Sequence, residues 1–149
     1  MILTELDAAD NKEQLLEEIR SCGWNAGPFL YKLFHDGKIK DLLGESTKVF
    51  VLTDGDKLVS FCTLSEKDDI QPTELTPWIG FVFTSPEYRG RHCAGKLIRR
   101  AEQEAAAMGF DRTYISTDHT GLYEKYGYTF LCEMNDVHGN LSRVYTRQL

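Results

Sequence analysis

The sequence predicts one α+β (mixed α/β) domain over residues 1–149, with a central, mostly antiparallel sheet flanked by helices. Three observations predict this class. Apolar residues recur at helical spacing through the N-terminal third, whereas short β-branched and apolar runs separated by turn signals dominate the rest. One long helical pattern lies between two of these runs, and such a strand–helix–strand unit requires one parallel pairing. A chain of 149 residues suits a single domain with its own core.

The N-terminal third predicts two helices with recognisable start and stop signals. Asp10 is the expected N-cap of the first helix, and Glu13 would complete a capping box with it. Gly23 ends this helix. Pro28 suits the first position of the second helix, and Gly37 ends it. Apolar residues at helical spacing support both helices: Leu15, Leu16, Ile19 and Cys22 in the first, and Phe29, Leu30, Leu33 and Phe34 in the second.

The remaining elements are predicted from alternating runs and turn residues. The expected strands are 2–6, 48–52, 58–64, 78–83, 113–116, 128–133 and 141–146. The turn at 54–56 makes the second and third strands a hairpin, and the turn at 138–140 makes the last two strands another. A long helix over 94–108 forms the crossover. A short helix is expected over 120–125.

Composition excludes several classes of function. The net charge of −6 argues against a nucleic-acid-binding protein, because phosphate binding needs a basic surface. No apolar run approaches the roughly 20 residues of a membrane helix, and the first five residues do not resemble a secretory signal. We therefore expect no membrane partner and a cytoplasmic location. The four cysteines lack metal-ligand spacing, so we expect free thiols and no metal site.

The stretch from Ser85 to Lys96 is the most informative part of the chain. It connects an apolar strand to an amphipathic helix and carries three cationic side chains: Arg89, Arg91 and Lys96. Unpaired N–H groups at a helix N-terminus, together with small residues and positive charge, favour a phosphate or pyrophosphate ligand. The alternative is an exposed basic loop without a ligand. Gly90 and Gly95 have the wrong spacing for a Walker P-loop or a GxGxxG motif.

This stretch resembles the pyrophosphate-binding signature of the GNAT superfamily, [R/Q]-x-x-G-x-[G/A]. Arg89 matches the first position and Ala94 the last, while His92 stands at the middle glycine. The segment Gly121–Tyr128, GLYEKYGY, resembles a second family motif that follows the fifth strand. The order of the predicted elements is also similar to that of GNAT proteins over nearly the whole chain.

The resemblance implies a GNAT acyl-CoA N-acyltransferase fold that binds acetyl-CoA. The strand through Val82 would diverge from the strand through Ile115, and the thioester would lie in the gap. Tyr123 would protonate the departing sulfur. The expected acetyl-CoA contacts are Phe81, Val82, Phe83, Arg89, Gly90, Arg91, His92, Cys93, Ala94, Gly95 and Lys96. The side chain of His92 would either donate to a phosphate or point to solvent.

Direct attack on the thioester also requires a base and an oxyanion donor. The N–H group of Val82 is the expected donor. His119 is the first candidate for the base because of its ordinary pKa of ~6.5, Glu74 is a weaker candidate, and a water chain is the third option. The family resemblance places the acceptor pocket near the first two helices, where Trp24 and Phe29 are candidates. Trp78, Tyr31 and His35 are further aromatic candidates.

The expected function is transfer of an acetyl group from acetyl-CoA to a primary amine of a small molecule or peptide. One alternative is a non-catalytic GNAT-like module that binds and senses acyl-CoA. A different acyl group, an oxygen acceptor, a phosphate-binding domain unrelated to GNAT and a plain interaction protein are the other open readings. The same resemblance leads us to expect a homodimer.

Overall fold

The computed structural model describes all of residues 1–149. The elements follow the predicted order. The strands are β1 (Ile2–Glu5), β2 (Lys48–Asp54), β3 (Lys57–Ser65), β4 (Trp78–Thr84), β5 (Arg112–Thr117), β6 (Thr129–Asn135) and β7 (Leu141–Gln148). The helices are α1 (Lys12–Arg20), α2 (Ala26–His35), α3 (Ile39–Leu43) and α4 (Cys93–Ala107). Short 3₁₀ turns cover Leu6–Ala8, Pro86–Tyr88 and Tyr123–Tyr126.

The seven strands form one sheet in the order β1-β2-β3-β4-β5-β7-β6. Every neighbouring pair is antiparallel except β4 and β5, which the crossover through α4 joins in parallel. Both predicted hairpins and the single parallel pair are therefore confirmed. None of the helices is both long and apolar enough to span a lipid bilayer.

The sheet has an apolar cluster on each face. Helix α4 covers one face, where Leu97 and Ala101 pack with Ile79 of β4 and Ile115 of β5. Helices α1 and α2 cover the other face, and their side chains pack on β2, β3 and β4: Leu15, Ile19 and Leu30 with Val51, Phe61 and Phe83. Burying each large side chain contributes about 1.5–3 kcal/mol. These two clusters hold β4 between α4 and the α1–α2 pair.

The predicted start of the first helix is wrong. Helix α1 begins at Lys12, after Asn11, and no side chain caps it. The chain leaves the Leu6–Ala8 turn in an extended conformation, and the Asn11 amide donates instead to the carbonyl of Asp56 at 3.4 Å. Asp10 is therefore not part of a capping box with Glu13.

The predicted helix at 120–125 is also wrong in type. The segment forms a 3₁₀ turn over Tyr123–Tyr126. Gly121 has a φ of +82°, which a right-handed helix does not accommodate. Its N–H group donates to the Glu124 carboxylate at 3.0 Å. This local bond fixes the turn that carries Tyr123.

Candidate functional site

A gap opens between the parallel strands β4 and β5. Trp78 and Tyr114 are the one paired position between these strands. The N–H group of Tyr114 also donates to the carbonyl of Pro77 at 3.0 Å. Beyond this point the two strands diverge toward their carboxyl ends, as predicted for Val82 and Ile115. The second half of β4 therefore has no paired strand on the side of β5.

A bulge in β4 accompanies this gap. On β3, Phe61 pairs with Phe83 and Thr63 pairs with Gly80, so β4 has one residue more than β3 between these positions. Neither Phe81 nor Val82 has a cross-strand partner in this register. Phe81 has a φ of +49°, which is uncommon for a residue other than glycine. A bulge re-aims the backbone groups of its residues, and this one lies at the gap.

The loop before α4 presents backbone donors. Gly90 has a φ of +82° and His92 a φ of +59°, so both adopt the left-handed conformation. His92 thus takes the backbone conformation for which the family signature has glycine. No side chain caps α4. The N–H groups from Gly90 to Gly95 donate to no protein group, which leaves them free for an anion.

At both ends of the predicted set of backbone donors, the N–H group already donates to a carbonyl of the protein. The N–H group of Arg89 donates to the carbonyl of Pro86 at 3.3 Å, and that of Lys96 donates to the carbonyl of His92 at 3.2 Å. The guanidinium of Arg89 donates to the carbonyl of Thr84 at 3.2 Å. Arg89 and Lys96 therefore offer charge to this loop and not backbone donors.

Two small residues in the first turn of α4 have structural explanations. The thiol of Cys93 is buried and lies 3.8 Å from the carbonyl of Tyr88. A Cβ atom on Gly95 would lie 2.8 Å from Cε1 of Tyr126. Gly95 therefore makes room for the Tyr126 ring, a contact that the sequence does not predict. The spacing of Gly95 and Tyr126 in the sequence gives no signal for it.

An open cavity of about 800 Å³ joins the gap to the loop. Its walls come from the α1–α2 junction, β4, the loop before α4 and the segment after β5. Eight of the predicted site residues line it: Trp24, Val82, Phe83, Arg89, Gly90, His92, Cys93 and Ala94. Tyr123 and His119, the predicted catalytic residues, line it as well. The structure thus brings most of the predicted residues to one place.

A second, basic cavity of about 610 Å³ lies along the outer face of the first turns of α4. Its cationic side chains are Lys96, Arg99, Arg100 and Lys125, and His92, Gly95 and Tyr126 also contribute to it. Three of its residues also line the first cavity: His92, Lys125 and Tyr126. The positive charge of the region therefore extends past the loop and along α4.

The phenol of Tyr123 is 7% exposed and lies beside the gap. Its hydroxyl makes no hydrogen bond to the protein, and its ring packs edge-on against Tyr128 at 6.4 Å between centroids. Burial, with smaller effects from Cys62, Tyr126 and Asp68, raises the pKa of Tyr123 to about 12. The hydroxyl is therefore protonated at neutral pH and available to donate.

His119 lies on the exposed segment after β5. Its N–H group donates to the hydroxyl of Thr117 at 3.0 Å, and its carbonyl accepts from the hydroxyl of Tyr145 at 3.5 Å. These backbone bonds hold the segment while the imidazole remains exposed at the cavity. Glu74 is exposed in the β3–β4 connection and does not line the cavity.

The predicted acceptor-pocket aromatics lie in different environments. Trp24 lines the cavity and stacks on Phe83, with 5.8 Å between ring centroids. Phe29 is 48% exposed and stacks on Phe81 outside the cavity wall. Trp78 is fully buried, and its indole N–H donates to the carbonyl of Leu75 at 2.8 Å. Trp78 is therefore a core residue of the β4–β5 contact and not an acceptor contact.

Comparison with known proteins places this arrangement in a family. The family model described as "Acetyltransferase (GNAT) family" matches residues 11–128. No curated protein sequence matches the chain. Solved structures with the same fold include an aminoglycoside 6'-N-acetyltransferase complexed with coenzyme A, at 18% identity and a TM-score of 0.70, with 99% of this chain and 97% of that chain covered.

Two further structures have the same fold. The aminoglycoside 6'-N-acetyltransferase from Enterococcus faecium is 17% identical, with a TM-score of 0.70 and coverage of 99% of this chain and 97% of that one. An acetyltransferase from Streptococcus agalactiae is 20% identical, with a TM-score of 0.67 and coverage of 99% and 98%.

Proposed function

This chain belongs to the GNAT family of acetyltransferases, and from that membership we propose that it transfers an acetyl group from acetyl-CoA to a primary amine of a small molecule or peptide. The observation that carries the proposal is the continuity of one cavity. It connects the unpaired edge of β4, the free N–H groups before α4 and the hydroxyl of Tyr123. A long ligand with an anionic end and a reactive acyl end fits this arrangement.

The loop before α4 would hold the pyrophosphate of acetyl-CoA. The N–H groups from Gly90 to Gly95 have no protein acceptor, and the helix dipole at the start of α4 favours negative charge there. Arg91 is exposed beside them and adds positive charge. The proposal therefore assigns recognition to backbone donors first and to cationic side chains second.

The open edge of β4 would bind the acyl-bearing arm of acetyl-CoA through backbone hydrogen bonds, in the way that it would pair with an additional strand. Backbone groups of Phe81, Val82 and Phe83 are the proposed contacts, because β5 has diverged from them. The N–H group of Val82 is the proposed donor to the oxygen that becomes negative when the amine attacks. Val82 belongs to the bulge of β4 and has no cross-strand partner on β3.

Tyr123 is the proposed acid. Bound acetyl-CoA supplies a thioester, whose sulfur must take up a proton as it leaves. The protonated hydroxyl of Tyr123 makes no bond to the protein and lies at the cavity. Burial raises the pKa of the Cys62 thiol to about 12, so this thiol does not supply a thiolate nucleophile. Both observations support direct transfer to the amine.

The acceptor is proposed to enter from the α1–α2 junction, where Trp24 lines the cavity. Two of the similar structures are aminoglycoside acetyltransferases, and this chain carries a net charge of −6. Both facts support a cationic amine as the acceptor. All four cysteines are free, which agrees with the cytoplasmic location that we propose. A homodimer is also part of the proposal, by analogy with the family.

An amine panel with detection of released CoA thiol tests this function. The panel holds a polyamine, an aminoglycoside, an amino acid and a lysine-containing peptide, and a reaction without amine measures hydrolysis. We expect amine-dependent thiol release and an acetylated product by mass spectrometry. Binding of acetyl-CoA without transfer to any amine would contradict an enzyme and favour a sensing module.

A further inference from the structure

We propose that Asp68 is the group that takes the proton from the acceptor ammonium. This inference rests on the proposed function, because it assigns a role in that reaction. Asp68 lies in the connection between β3 and β4, a segment in which the sequence patterns predicted no element. Its carboxylate packs against β4 at Gly80.

The carboxylate of Asp68 lies directly over Gly80 of β4. A Cβ atom on Gly80 would lie 2.8 Å from both Oδ1 and Oδ2 of Asp68. Ile79 packs in the α4-side cluster, so the opposite face at Gly80 is the side of α1 and α2. Gly80 therefore admits the Asp68 carboxylate to the face from which the acceptor is proposed to enter.

This position is close to the proposed oxyanion donor. Gly80 precedes Val82 by two residues, which is about 7 Å along a strand. In the proposed reaction the bound amine contacts Asp68 directly or through one water. Asp68 as a residue is partly exposed, and its carboxylate packs against Gly80.

No protein group neutralises Asp68. It takes part in none of the ion pairs of the molecule. Thr63 pairs with Gly80 across the β3–β4 ladder, so its side chain shares this face. The hydroxyl of Thr63 is fully buried and has no hydrogen-bond partner. A buried hydroxyl without a partner on the face where Asp68 packs is costly for folding, and it suits a polar ligand or water.

The electrostatic surroundings suit a base. Burial, together with the charge of Asp69 on the same loop, raises the pKa of Asp68 to about 7. Tyr123, from the turn after β5, is neutral at this pH. The charges of Asp118 and Asp136 raise the pKa of Asp69 in the same way. No cationic side chain lowers the pKa of Asp68. An acidic surface of this kind also attracts an ammonium ion.

Asp68 and His119 lie on different sides of the gap relative to Tyr123. Tyr123 packs in the α4-side cluster, whereas Asp68 lies on the α1–α2 side of β4. The acid and the base therefore lie on opposite faces of the sheet. Tyr123 can protonate the leaving sulfur while Asp68 takes the proton of the attacking amine. His119 is on the same segment as Tyr123, and its imidazole is exposed.

The proton balance of the reaction is complete with these two groups. Asp68 takes one proton from the ammonium, and the freed lone pair forms the N–C bond. The C–S bond breaks, and the sulfur, which keeps the electron pair, takes a proton from Tyr123. The second proton of the new amide nitrogen passes through water to the Tyr123 phenolate, and Asp68 releases its proton to solvent. One proton is released in each turnover.

Asp68→Asn tests the role, with Asp69→Asn as the matched control and His119→Asn as the test of the competing base. At near-neutral pH we expect kcat/KM of Asp68→Asn to fall about 10²-fold or more, with the calorimetric Kd for acetyl-CoA unchanged. The wild-type profile of kcat/KM should lose activity below a midpoint near pH 7, and Asp68→Asn should lack this acidic limb. Its deficit should shrink as the pH approaches the amine pKa of ~10.4, because free amine then needs no base.

The controls separate this role from a structural one. Asp69→Asn should keep its maximal rate and shift the acidic limb to lower pH, because one neighbouring negative charge is lost. Retention of both the rate and the limb in Asp68→Asn would overturn the inference, as would loss of the limb in His119→Asn instead. Absence of turnover by the wild-type protein on every amine of the panel would overturn the proposed function itself, and this inference with it.

Discussion

Tyr126 packs its ring on Gly95, where an added Cβ atom would lie 2.8 Å from Cε1 of the ring. This contact joins the turn after β5 to the first turn of α4. The same ring lines both cavities. The position of the turn that carries Tyr123 therefore depends on a residue of the proposed pyrophosphate loop.

Gly95→Ala should disturb both stability and acetyl-CoA binding. The added methyl group displaces the Tyr126 ring toward the cavity, and overpacking of this kind costs about 1–3 kcal/mol. Denaturant unfolding and calorimetric titration with acetyl-CoA measure the two effects. The double variant Gly95→Ala/Tyr126→Leu removes the ring and should recover most of the loss. Equal losses in the single and the double variant would contradict the contact.

Tyr123→Phe should lower kcat while the Kd for acetyl-CoA stays within about twofold, because the hydroxyl acts only as the sulfur leaves. The expected fall is on the order of 10²-fold. Steady-state thiol release measures it. Tyr126→Phe is the matched control, since this tyrosine also lines the cavity. A Tyr123→Phe enzyme with the wild-type rate would refute the role of the acid.

His92→Gly should stabilise the fold. His92 has a φ of +59°, and a residue other than glycine loses roughly 1–2 kcal/mol in this conformation, partly offset by the extra chain entropy of glycine. We expect a net gain of about 0.5–1 kcal/mol in the free energy of unfolding. Arg91→Gly, at a position with negative φ, should lose stability instead. A loss in both variants would show that the left-handed conformation carries no strain.

The same His92→Gly variant decides what the imidazole does. If the ring points to solvent, the Kd for acetyl-CoA stays at its wild-type value. If the ring donates to a phosphate, the affinity falls although the loop backbone is relaxed. Calorimetry distinguishes these outcomes.

Asp68 gives stability a defined pH dependence. Burial raises its pKa from 3.8 to about 7 in the folded protein. Between about pH 4 and pH 7 the unfolded chain loses a proton that the folded chain keeps, so the contribution of Asp68 to stability falls as the pH rises. Relative to Asp68→Asn, the wild-type protein should lose up to about 4 kcal/mol over this window. Urea unfolding at both ends of the window measures the difference, and parallel profiles would contradict the raised pKa.

Much of the fold could be predicted because local signals agree with it. The turn at 54–56 and the alternating runs around it specify the β2–β3 hairpin. The amphipathic pattern of α4 specifies the crossover, and the crossover requires the parallel pair. The start of α1 was not predictable in the same way, since Asp10 has a capping composition that the structure does not use.

The site was predictable where a motif carries it and not where tertiary contacts do. Arg89, Ala94 and Tyr123 match family motifs, and all three line the cavity. Asp68 lies in a segment without periodicity, and only the packing of its carboxylate over Gly80 places it near the gap. Trp78 illustrates the opposite error, because an aromatic side chain near a site can belong wholly to the core.

The central claim is that the gap and the loop before α4 together bind acetyl-CoA. Calorimetric titration of the wild-type protein with acetyl-CoA tests it most directly, with CoA and ATP as controls. We predict micromolar binding of acetyl-CoA and weaker binding of ATP, because ATP has phosphates for the loop before α4 but lacks the arm that the open edge of β4 recognises. Absence of binding at millimolar acetyl-CoA would contradict the claim and leave a GNAT fold whose loop serves another purpose.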